Sequence, residues 1–294
     1  MASINIDQFN QYHKKGLLKR GVSKNGQLYI WNYSEAVQAN NDLWDNVTMM
    51  SRALITDTDG RIVARSFPKF FNMEQDIKQD IKQDIGQRPV IQAKMDGSLG
   101  VIFWNYGLQK WTVTSRGSFT SEQSHEAQVM LETLYSVADF DKEFAFSVEI
   151  IYPQNRIVVD YGQSRKLVFL AAFYKDGSEA FPDMSRSGME SVQQYEFDDY
   201  KSIKALNWEN CEGFVVRFAS GHRLKIKFEN YIELHRVVTR LSDMTVWEMW
   251  SSGQSLSDSL EGIPDEFFDW FKKDRLDLFW RGISSDIPVF WFPV

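Results

Sequence analysis

Short apolar runs, each bounded by turn-forming residues, follow one another between about residues 28 and 181. Runs of this length, with alternating or continuous apolar residues, are typical of β-strands. The clearest runs are 61–65, 100–104, 111–114, 144–151 and 166–173. Residues 121–136 are instead rich in Glu, Gln, Ala and Leu, with apolar positions at helical spacing, and predict a helix packed against the sheet. The sequence therefore predicts an α+β body.

Two further segments have helical spacing. A tandem Asp-Ile-Lys-Gln repeat at 76–85 puts Ile77, Ile81 and Ile85 on one face, which favours a duplicated surface helix over a functional lid. From about Tyr231 onward, Leu, Val, Met and Trp recur at helical spacing. We therefore predict a main domain at 1–235 and a small all-helical C-terminal domain at 236–294.

Composition narrows the class of protein. Apolar residues make up 43% and charged residues 25% of the 294 residues, as in ordinary globular proteins. A single cysteine forms no internal disulfide, no zinc spacing occurs, and no leader or membrane-spanning run is present, so we expect a cytoplasmic protein without membrane contact. The net charge of -7 argues against a protein that coats nucleic acid. Basic residues nevertheless cluster at Arg217, Arg223, Lys225, Lys227, Arg236 and Arg240.

The strongest chemical signal is Lys94-Met95-Asp96-Gly97, a lysine at a strand-to-turn junction whose glycine permits close approach of a ligand. A lysine attacks phosphorus only as the neutral amine, so we expect a lowered pKa for Lys94. Lys225 and Lys227 alternate with apolar residues and predict one strand face with two ammonium groups directed at the same pocket. Alone, the motif is also a common surface turn.

Companion motifs favour the catalytic interpretation. Ser115-Arg116-Gly117 follows the next predicted strand, and Glu149 and Glu212 each lie within or beside an apolar strand. A buried carboxylate is costly unless it is paired or hydrogen-bonded. A site for metal and ribose explains both glutamates, whereas a structural salt bridge is the alternative.

This ordered set of motifs resembles the covalent nucleotidyltransferases, namely ATP-dependent DNA ligases, RNA ligases and capping enzymes. It is most similar to the RNA ligase 1 family of T-even bacteriophages and to the related fungal tRNA ligases, over about residues 33–235. Arg52 and the Lys69-Phe70-Phe71-Asn72 element fit that branch, as does Tyr231 four residues beyond Lys227. The resemblance implies an ATP-grasp-like nucleotidyltransferase domain of antiparallel sheets flanked by helices.

The resemblance also implies roles for single residues. Lys94 would form a lysyl-AMP intermediate with ATP, and Lys225 and Lys227 would contact the α-phosphate. Glu149 and Glu212 would hold Mg²⁺ or Mn²⁺, directly or through water. Other contacts to ATP or phosphate would come from Arg52, Lys69, Phe71, Asp96, Gly97, Arg116 and Tyr231. Phe169 and Phe173 are candidates for stacking on adenine, although core packing suits both rings better.

The implied activity is RNA repair, in which an enzyme joins 5'-phosphate and 3'-hydroxyl ends of single-stranded or loop-broken RNA, with tRNA as one candidate. We expect a monomer, acting in the host cytoplasm if the source is viral. Two departures bear on substrate choice: Arg116 stands where some relatives have lysine, and the C-terminal region is short for the family. The alternatives are a DNA ligase, a capping-type nucleotidyltransferase, or a non-catalytic RNA-binding protein with a decayed site.

Overall fold

The computed structural model describes residues 2–75 and 88–240. The chain divides into two compact units, Met1–Glu229 and Asn230–Val294. The predicted helix at 76–85 lies outside the described residues, as does the predicted C-terminal domain beyond Arg240. The predicted boundary at residue 235 therefore stays a prediction. Within the described ranges, no helix has both the length and the apolarity needed to cross a membrane.

The strands and helices of the described residues follow one another in short segments. The strands are β1 (Leu18–Val22), β2 (Leu28–Tyr33), β3 (Leu54–Asp57), β4 (Ile62–Ala64), β5 (Phe71–Asn72), β6 (Val90–Ala93), β7 (Ser98–Asn105), β8 (Lys110–Ser115), β9 (Ala145–Ile151), β10 (Lys166–Phe173), β11 (Glu179–Ala180), β12 (Gln194–Tyr195), β13 (Gly213–Arg217) and β14 (Arg223–Lys227). The helices are α1 (Ile6–Lys14), α2 (Glu35–Ala39), α3 (Asn46–Met50), α4 (Glu122–Leu134) and α5 (Glu229–Arg240). The predicted α+β class is confirmed.

The first sheet has the strand order β1-β2-β3-β4, with antiparallel neighbours. Trp31 of β2 is fully buried, and its indole N–H donates to Thr56 Oγ1 of β3 at 3.0 Å. Phe9 of α1 packs edge-on against the Trp31 ring. The helices before and after this hairpin therefore cover one face of the sheet, while β1 is one of its edges.

The second sheet has the order β11-β10-β9-β7-β8 and is antiparallel throughout. Ser121 caps the first turn of α4, because its side chain accepts from the Ser124 N–H. Ala127, Met130 and Leu131 of α4 are buried in one cluster with apolar residues of this sheet. The helix predicted at 121–136 is thus confirmed, since its apolar stripe faces the sheet.

The third sheet has the order β12-β6-β13-β14-β5, in which only the β5–β14 pair is parallel. The register sets Phe214 of β13 opposite both Ala93 of β6 and Ile226 of β14. Strand β6 leads into Lys94, and β14 carries Lys225 and Lys227. This sheet therefore brings the three lysines of the sequence analysis to one place.

Candidate active site

Lys94 follows β6 directly, and its backbone N–H donates to the Gly213 carbonyl at 2.9 Å. Its ammonium Nζ donates to Glu212 Oε2 at 2.6 Å. The other oxygen of the same carboxylate, Oε1, lies 2.8 Å from Lys227 Nζ. Glu212 is 2% exposed, so it is a buried carboxylate shared by two lysines. Both oxygens are therefore engaged in salt bridges with lysines.

Backbone geometry next to Glu212 explains the glycine of the Glu-Gly motif. Gly213 has a φ of 135°, and a Cβ at this position would lie 2.0 Å from the Ile226 carbonyl oxygen. Any side chain would collide with the neighbouring strand β14. Glycine thus permits the close pairing of β13 with β14 at the point where Glu212 meets its two lysines.

The pKa of Lys94 is raised, not lowered as the sequence analysis predicted. Burial acts to lower the pKa of Lys94, but attraction to Glu212 and Glu149 outweighs burial and raises it above its usual value. The lowered pKa belongs instead to Lys225, whose ammonium is disfavoured by burial and by Arg52 and Lys94. Sequence spacing showed that cations lie nearby but not that the carboxylates stand closer to Lys94.

Gly97 and Glu149 link the lysine motif to strand β9. The Gly97 N–H donates to Glu149 Oε1 at 3.0 Å. A Cβ on Gly97 would lie 2.6 Å from the Ile150 carbonyl oxygen, so the turn crosses β9 in direct contact. Burial raises the pKa of Glu149 to about 7, with Lys94 acting against the rise and Glu212 adding to it. Added positive charge nearby would therefore stabilise the ionised form of Glu149.

Asp96 connects the lysine motif to a loop farther along the chain. Its carboxylate is buried and accepts at Oδ2 from the backbone N–H groups of Val158 and Val159, each at 2.8 Å. Its own N–H donates to the Tyr161 hydroxyl at 2.9 Å. Asp96 thus fastens the 158–161 loop to the lysine motif, and its predicted part in ATP or phosphate binding stays a prediction.

Arg52, Lys69 and Arg116 form a second group of cations beside the lysines, and the two arginines both lower the pKa of Lys69. Burial lowers the pKa of Lys69 to about 8, and both arginines contribute to the fall. Among the described residues, Arg52 Nη1 is buried with no hydrogen-bond partner. A buried guanidinium nitrogen of this kind suits an anion such as a phosphate group.

Three aromatic rings surround the Lys69 ammonium. Lys69 Nζ lies 5.2 Å from the centre of the Tyr33 ring, 4.7 Å from that of Trp44 and 5.2 Å from that of Phe71. The guanidinium of Arg116 lies 5.7 Å from the same Tyr33 ring. Phe71 was predicted as a site residue, and its ring contacts the Lys69 ammonium. Tyr33 and Trp44 were missed, because no motif or spacing connects them to Lys69 in sequence.

Some of the charged side chains described above line a cleft that is open to solvent. Its charged lining comprises Arg52, Lys94, Glu149 and Lys225, and its apolar lining includes Phe67, Leu170, Val192 and Val215. A cleft with one charged side and one apolar side suits a nucleotide, whose phosphates and base differ in the same way. Lys225 lines this cleft together with Lys94, whereas Lys227, which was predicted to face the same pocket, is not among its lining residues and contacts Glu212.

The two predicted stacking rings lie elsewhere. Phe173 is 3% exposed and packs edge-on against Phe67 at 5.3 Å, and Phe169 packs against the apolar cluster that holds Phe146. Strand β10 has a register shift between Phe169 and Ala171, and the intervening Leu170 lines the cleft. Neither phenylalanine lines the cleft, and the core alternative describes both rings.

The remaining predicted residue, Tyr231, lies on α5 in the second unit. It is 4% exposed, and its ring centre lies 5.7 Å from that of His235. Its predicted contact with the nucleotide stays a prediction.

The two predicted metal ligands, Glu149 and Glu212, differ in how well they suit a metal ion. Within residues 2–75 and 88–240, no group of three or more His, Cys, Asp or Glu side chains has a metal-binding arrangement. Glu149 fits a divalent cation, because added positive charge would favour its ionised form at the edge of an open cleft. Glu212 fits less well, since both of its oxygens are held by lysines.

Solved structures of ligases share this fold. An archaeal ATP-dependent RNA ligase (form 1) matches with a TM-score of 0.54 at 14% identity, over 95% of this chain and 74% of that chain. Its form 2 matches at 0.52 and 13% identity, over 80% and 66% of the respective chains. A putative ATP-dependent DNA ligase from Aquifex aeolicus matches at 0.52 and 15% identity, over 96% and 88%. At these identities the similarity establishes the fold alone.

The family follows from the sequence match. A family model described as RNA ligase matches residues 50–232, which is more than half of the 294-residue chain. This range contains Arg52, Lys69, the Lys94 motif, Glu149 and Glu212, together with both lysines of β14. The resemblance to RNA ligase 1 proteins inferred from the motifs is confirmed, and the chain belongs to the RNA ligase family.

Proposed function

We propose that this protein is an ATP-dependent RNA ligase that joins a 5'-phosphate end of RNA to a 3'-hydroxyl end through a covalent AMP on Lys94. The observation that carries the proposal is the cleft itself. In it Lys94 and the carboxyl group of Glu149 lie beside two further cations, those of Arg52 and Lys225. One of these, Arg52, has a buried nitrogen without a partner among the described residues.

In the first step, the neutral amine of Lys94 attacks the α-phosphorus of ATP. A P–N bond forms, the bond to the β-phosphate breaks, and pyrophosphate leaves. The ammonium must first release its proton and its contact with Glu212, which stands 2.6 Å away. Lys227 remains on the other oxygen of Glu212, so that carboxylate keeps a partner when Lys94 moves.

Cations in the cleft and beside it are suited to binding the phosphates of ATP and RNA. Lys225 lines the cleft beside Lys94 and is suited to the α-phosphate, whose charge would restore its ammonium form. Arg52, Lys69 and Arg116 are suited to the leaving pyrophosphate and, later, to the 5'-phosphate of RNA. A divalent cation, for which we favour Mg²⁺ held by Glu149, would offset charge on the phosphates and favour the neutral amine.

In the second step, an oxygen of the RNA 5'-phosphate attacks the phosphorus of the bound AMP. A P–O–P linkage forms, the P–N bond breaks, and Lys94 regains a proton. In the third step, the 3'-hydroxyl of the acceptor attacks the activated 5'-phosphate, AMP leaves, and a phosphodiester bond remains. The substrate we favour is single-stranded or loop-broken RNA, with tRNA as a candidate, acted on by a monomer in the cytoplasm.

A comparison of three substrates tests the proposal. The purified protein is incubated with ATP, Mg²⁺ and a 5'-phosphorylated single-stranded RNA, the matching DNA strand, or a nicked DNA duplex. We expect joining of the RNA to be fastest. Faster sealing of the nicked duplex would favour the DNA ligase alternative, whose fold is shared by the Aquifex aeolicus protein. No joining and no protein-bound AMP would favour a non-catalytic RNA-binding protein.

A further inference from the structure

A second basic feature lies outside the cleft, at the start of the chain. Residues 8–34 contain no Asp or Glu but hold Lys14, Lys15, Lys19, Arg20 and Lys24. The whole chain has a net charge of -7, so this stretch has a charge opposite to that of the protein. We call these five side chains the β1 basic strip.

The strip follows an open edge of the first sheet. Lys14 and Lys15 end α1, Lys19 and Arg20 lie in β1, and Lys24 lies in the turn that leads to β2. Strand β1 is the edge strand, and the four lysines are exposed. Within the described residues, salt bridges give one member of the strip a carboxylate partner, which is Glu35 beside Lys19. The strip is therefore a cationic surface with little internal neutralisation.

The strip is continuous with the cations of the cleft. A Cβ on Gly21 of β1 would lie 2.9 Å from the Gly117 carbonyl oxygen, so β1 runs directly beside the Arg116–Gly117 loop. Arg116 and Lys69 lie on the same Tyr33 ring, at 5.7 Å and 5.2 Å. Cations thus extend from the cleft, through Arg116, onto the outer edge of the sheet.

Arg20 gives the strip a fixed element. Its guanidinium lies 4.7 Å from the centre of the Tyr29 ring and 5.7 Å from that of Trp31. Its Nη1 donates to Asn10 Oδ1 at 2.9 Å. A guanidinium held by rings and an amide loses little freedom when it binds a phosphate.

A purely structural explanation covers part of the strip. Lys14 and Lys15 stand at the C-terminus of α1, where positive charge is favourable to the helix dipole. This explanation does not apply to Lys19, Arg20 or Lys24, nor to the absence of carboxylates from 27 consecutive residues, counted inclusively from 8 to 34. Phosphate groups in a chain are the ligands that such a linear array of exposed cations fits.

We propose that the β1 basic strip binds the phosphodiester backbone of the RNA strand whose 5'-phosphate enters the cleft. This inference rests on the proposed function and adds a path for the strand that donates the 5'-phosphate. Single-stranded RNA fits better than a duplex, because the strip follows one edge strand and the ends to be joined are single-stranded. The nucleotides farther from the 5' end would be the ones that contact the strip.

The test replaces the three strip lysines with exposed positions and no carboxylate partner among the described residues, as Lys14→Gln, Lys15→Gln and Lys24→Gln together. A control with the same change in charge replaces three exposed lysines elsewhere in the first unit, as Lys110→Gln, Lys142→Gln and Lys201→Gln; of these, Lys110 has a carboxylate partner, Glu132, at 3.7 Å. Both variants lose the same charge. Binding of a 5'-phosphorylated single-stranded RNA is measured at several salt concentrations, and labelling of the protein by α-labelled ATP is measured alongside.

We expect the strip variant to bind RNA about tenfold more weakly, with the slope of log affinity against log salt reduced by about 2, because each phosphate contact on a single strand contributes about 0.7. The control variant should show neither change. Both variants should take up label from ATP to the same extent as the original protein. An RNA of two nucleotides should show a smaller difference between the variants, because it carries fewer phosphates for the strip to contact.

Equal salt slopes for the strip variant and the control would overturn the inference, as would an equal loss in both. The labelling assay tests the proposed function independently, because an original protein that takes no label from ATP would contradict that function. The comparison of RNA binding would still decide the role of the strip. A lowered melting temperature confined to the strip variant, with unchanged RNA binding, would assign its lysines to the stability of α1 and contradict the proposal.

Discussion

Lys94 Nζ and Glu212 Oε2 lie 2.6 Å apart, and this contact favours the ammonium form of the side chain that we propose as nucleophile. The same carboxylate contacts Lys227 at 2.8 Å. On the proposed function, binding of ATP would have to weaken the Lys94 salt bridge before the amine can attack. Glu212 both raises the pKa of Lys94 and fixes the position of its ammonium group.

Glu212→Gln should destabilise the fold and change the pH profile of adenylation. Without the carboxylate, Lys94 and Lys227 would be half-buried like charges, and loss of one partner of a buried pair costs about 3 kcal/mol or more. In the folded fraction the pKa of Lys94 should fall, so single-turnover adenylation should reach its maximum at lower pH. Denaturant unfolding and the pH profile measure the two effects.

A control for this variant is Glu190→Gln, which removes an exposed salt bridge to Lys166. Exposed pairs contribute less than about 1 kcal/mol, so this control should unfold like the original protein. An unchanged unfolding midpoint and an unchanged pH profile for Glu212→Gln would contradict the assigned role.

Glu149→Gln should stabilise the metal-free protein at pH 8 but not at pH 4. Burial raises the pKa of Glu149 to about 7 from an ordinary 4.5, with Lys94 opposing the rise and Glu212 adding to it. Between these values the unfolded chain has lost its proton while the folded protein still holds it, so rising pH reduces stability. The variant should not show this loss of stability, which amounts to about 3 kcal/mol at pH 8. Unfolding in EDTA at both pH values checks it.

The same variant should adenylate more slowly with Mg²⁺, because the amide is a poorer metal ligand than a carboxylate. Full activity together with higher stability would show that Glu149 has no part in metal binding.

Lys69→Arg should weaken the pH dependence of pyrophosphate binding. Burial, Arg52 and Arg116 lower the pKa of Lys69 to about 8, so its charge is lost as pH rises through that value. Binding of inorganic pyrophosphate by the original protein should weaken between pH 7 and pH 9. Arginine keeps its charge, so the variant should lose less affinity. Calorimetry measures pyrophosphate affinity in both proteins at each pH, and the ionisation of pyrophosphate itself affects both proteins equally. An equal loss of affinity in the two proteins would exclude Lys69 from the anion site.

Gly213→Ala should disrupt the site more than a matched glycine replacement. The added Cβ would lie 2.0 Å from the Ile226 carbonyl oxygen, so β13 and β14 must separate beside Glu212. Gly162 also has a positive φ, of 62°, but a Cβ there meets nothing within 4 Å. Gly162→Ala should cost about 1 kcal/mol through backbone strain alone and keep adenylation. Comparable stability and adenylation in the two variants would contradict the account of the hairpin.

Much of the fold followed from local pattern. The run predicted at 166–173 coincides with β10, and the helix predicted at 121–136 contains α4 with its Ser121 cap. The approach of Lys94 to β14 also followed, because the motif order matched a known family. These features depend on short-range periodicity or on an ordered set of motifs, both of which a single sequence displays.

The electrostatics of the site did not follow. The expected lowered pKa is found at Lys225 and not at Lys94, because the distances from Glu212 and Glu149 decide which lysine keeps its proton. The rings of Tyr33 and Trp44 around Lys69 come from separate elements whose approach is tertiary. Asp96 holds a loop some sixty residues away in sequence, through hydrogen bonds of 2.8 Å to Val158 and Val159. Such contacts leave no periodic signal.

The covalent attachment of AMP tests the central claim most directly. The protein is incubated with ATP and Mg²⁺, denatured, digested and examined by mass spectrometry for a peptide that gains one AMP. We predict a single modified peptide with the phosphoramidate on Lys94, and none in Lys94→Ala, which should still join pre-adenylated RNA. AMP on Lys225, the neighbouring lysine whose pKa is lowered, would contradict the account, as would a protein that forms no adenylate.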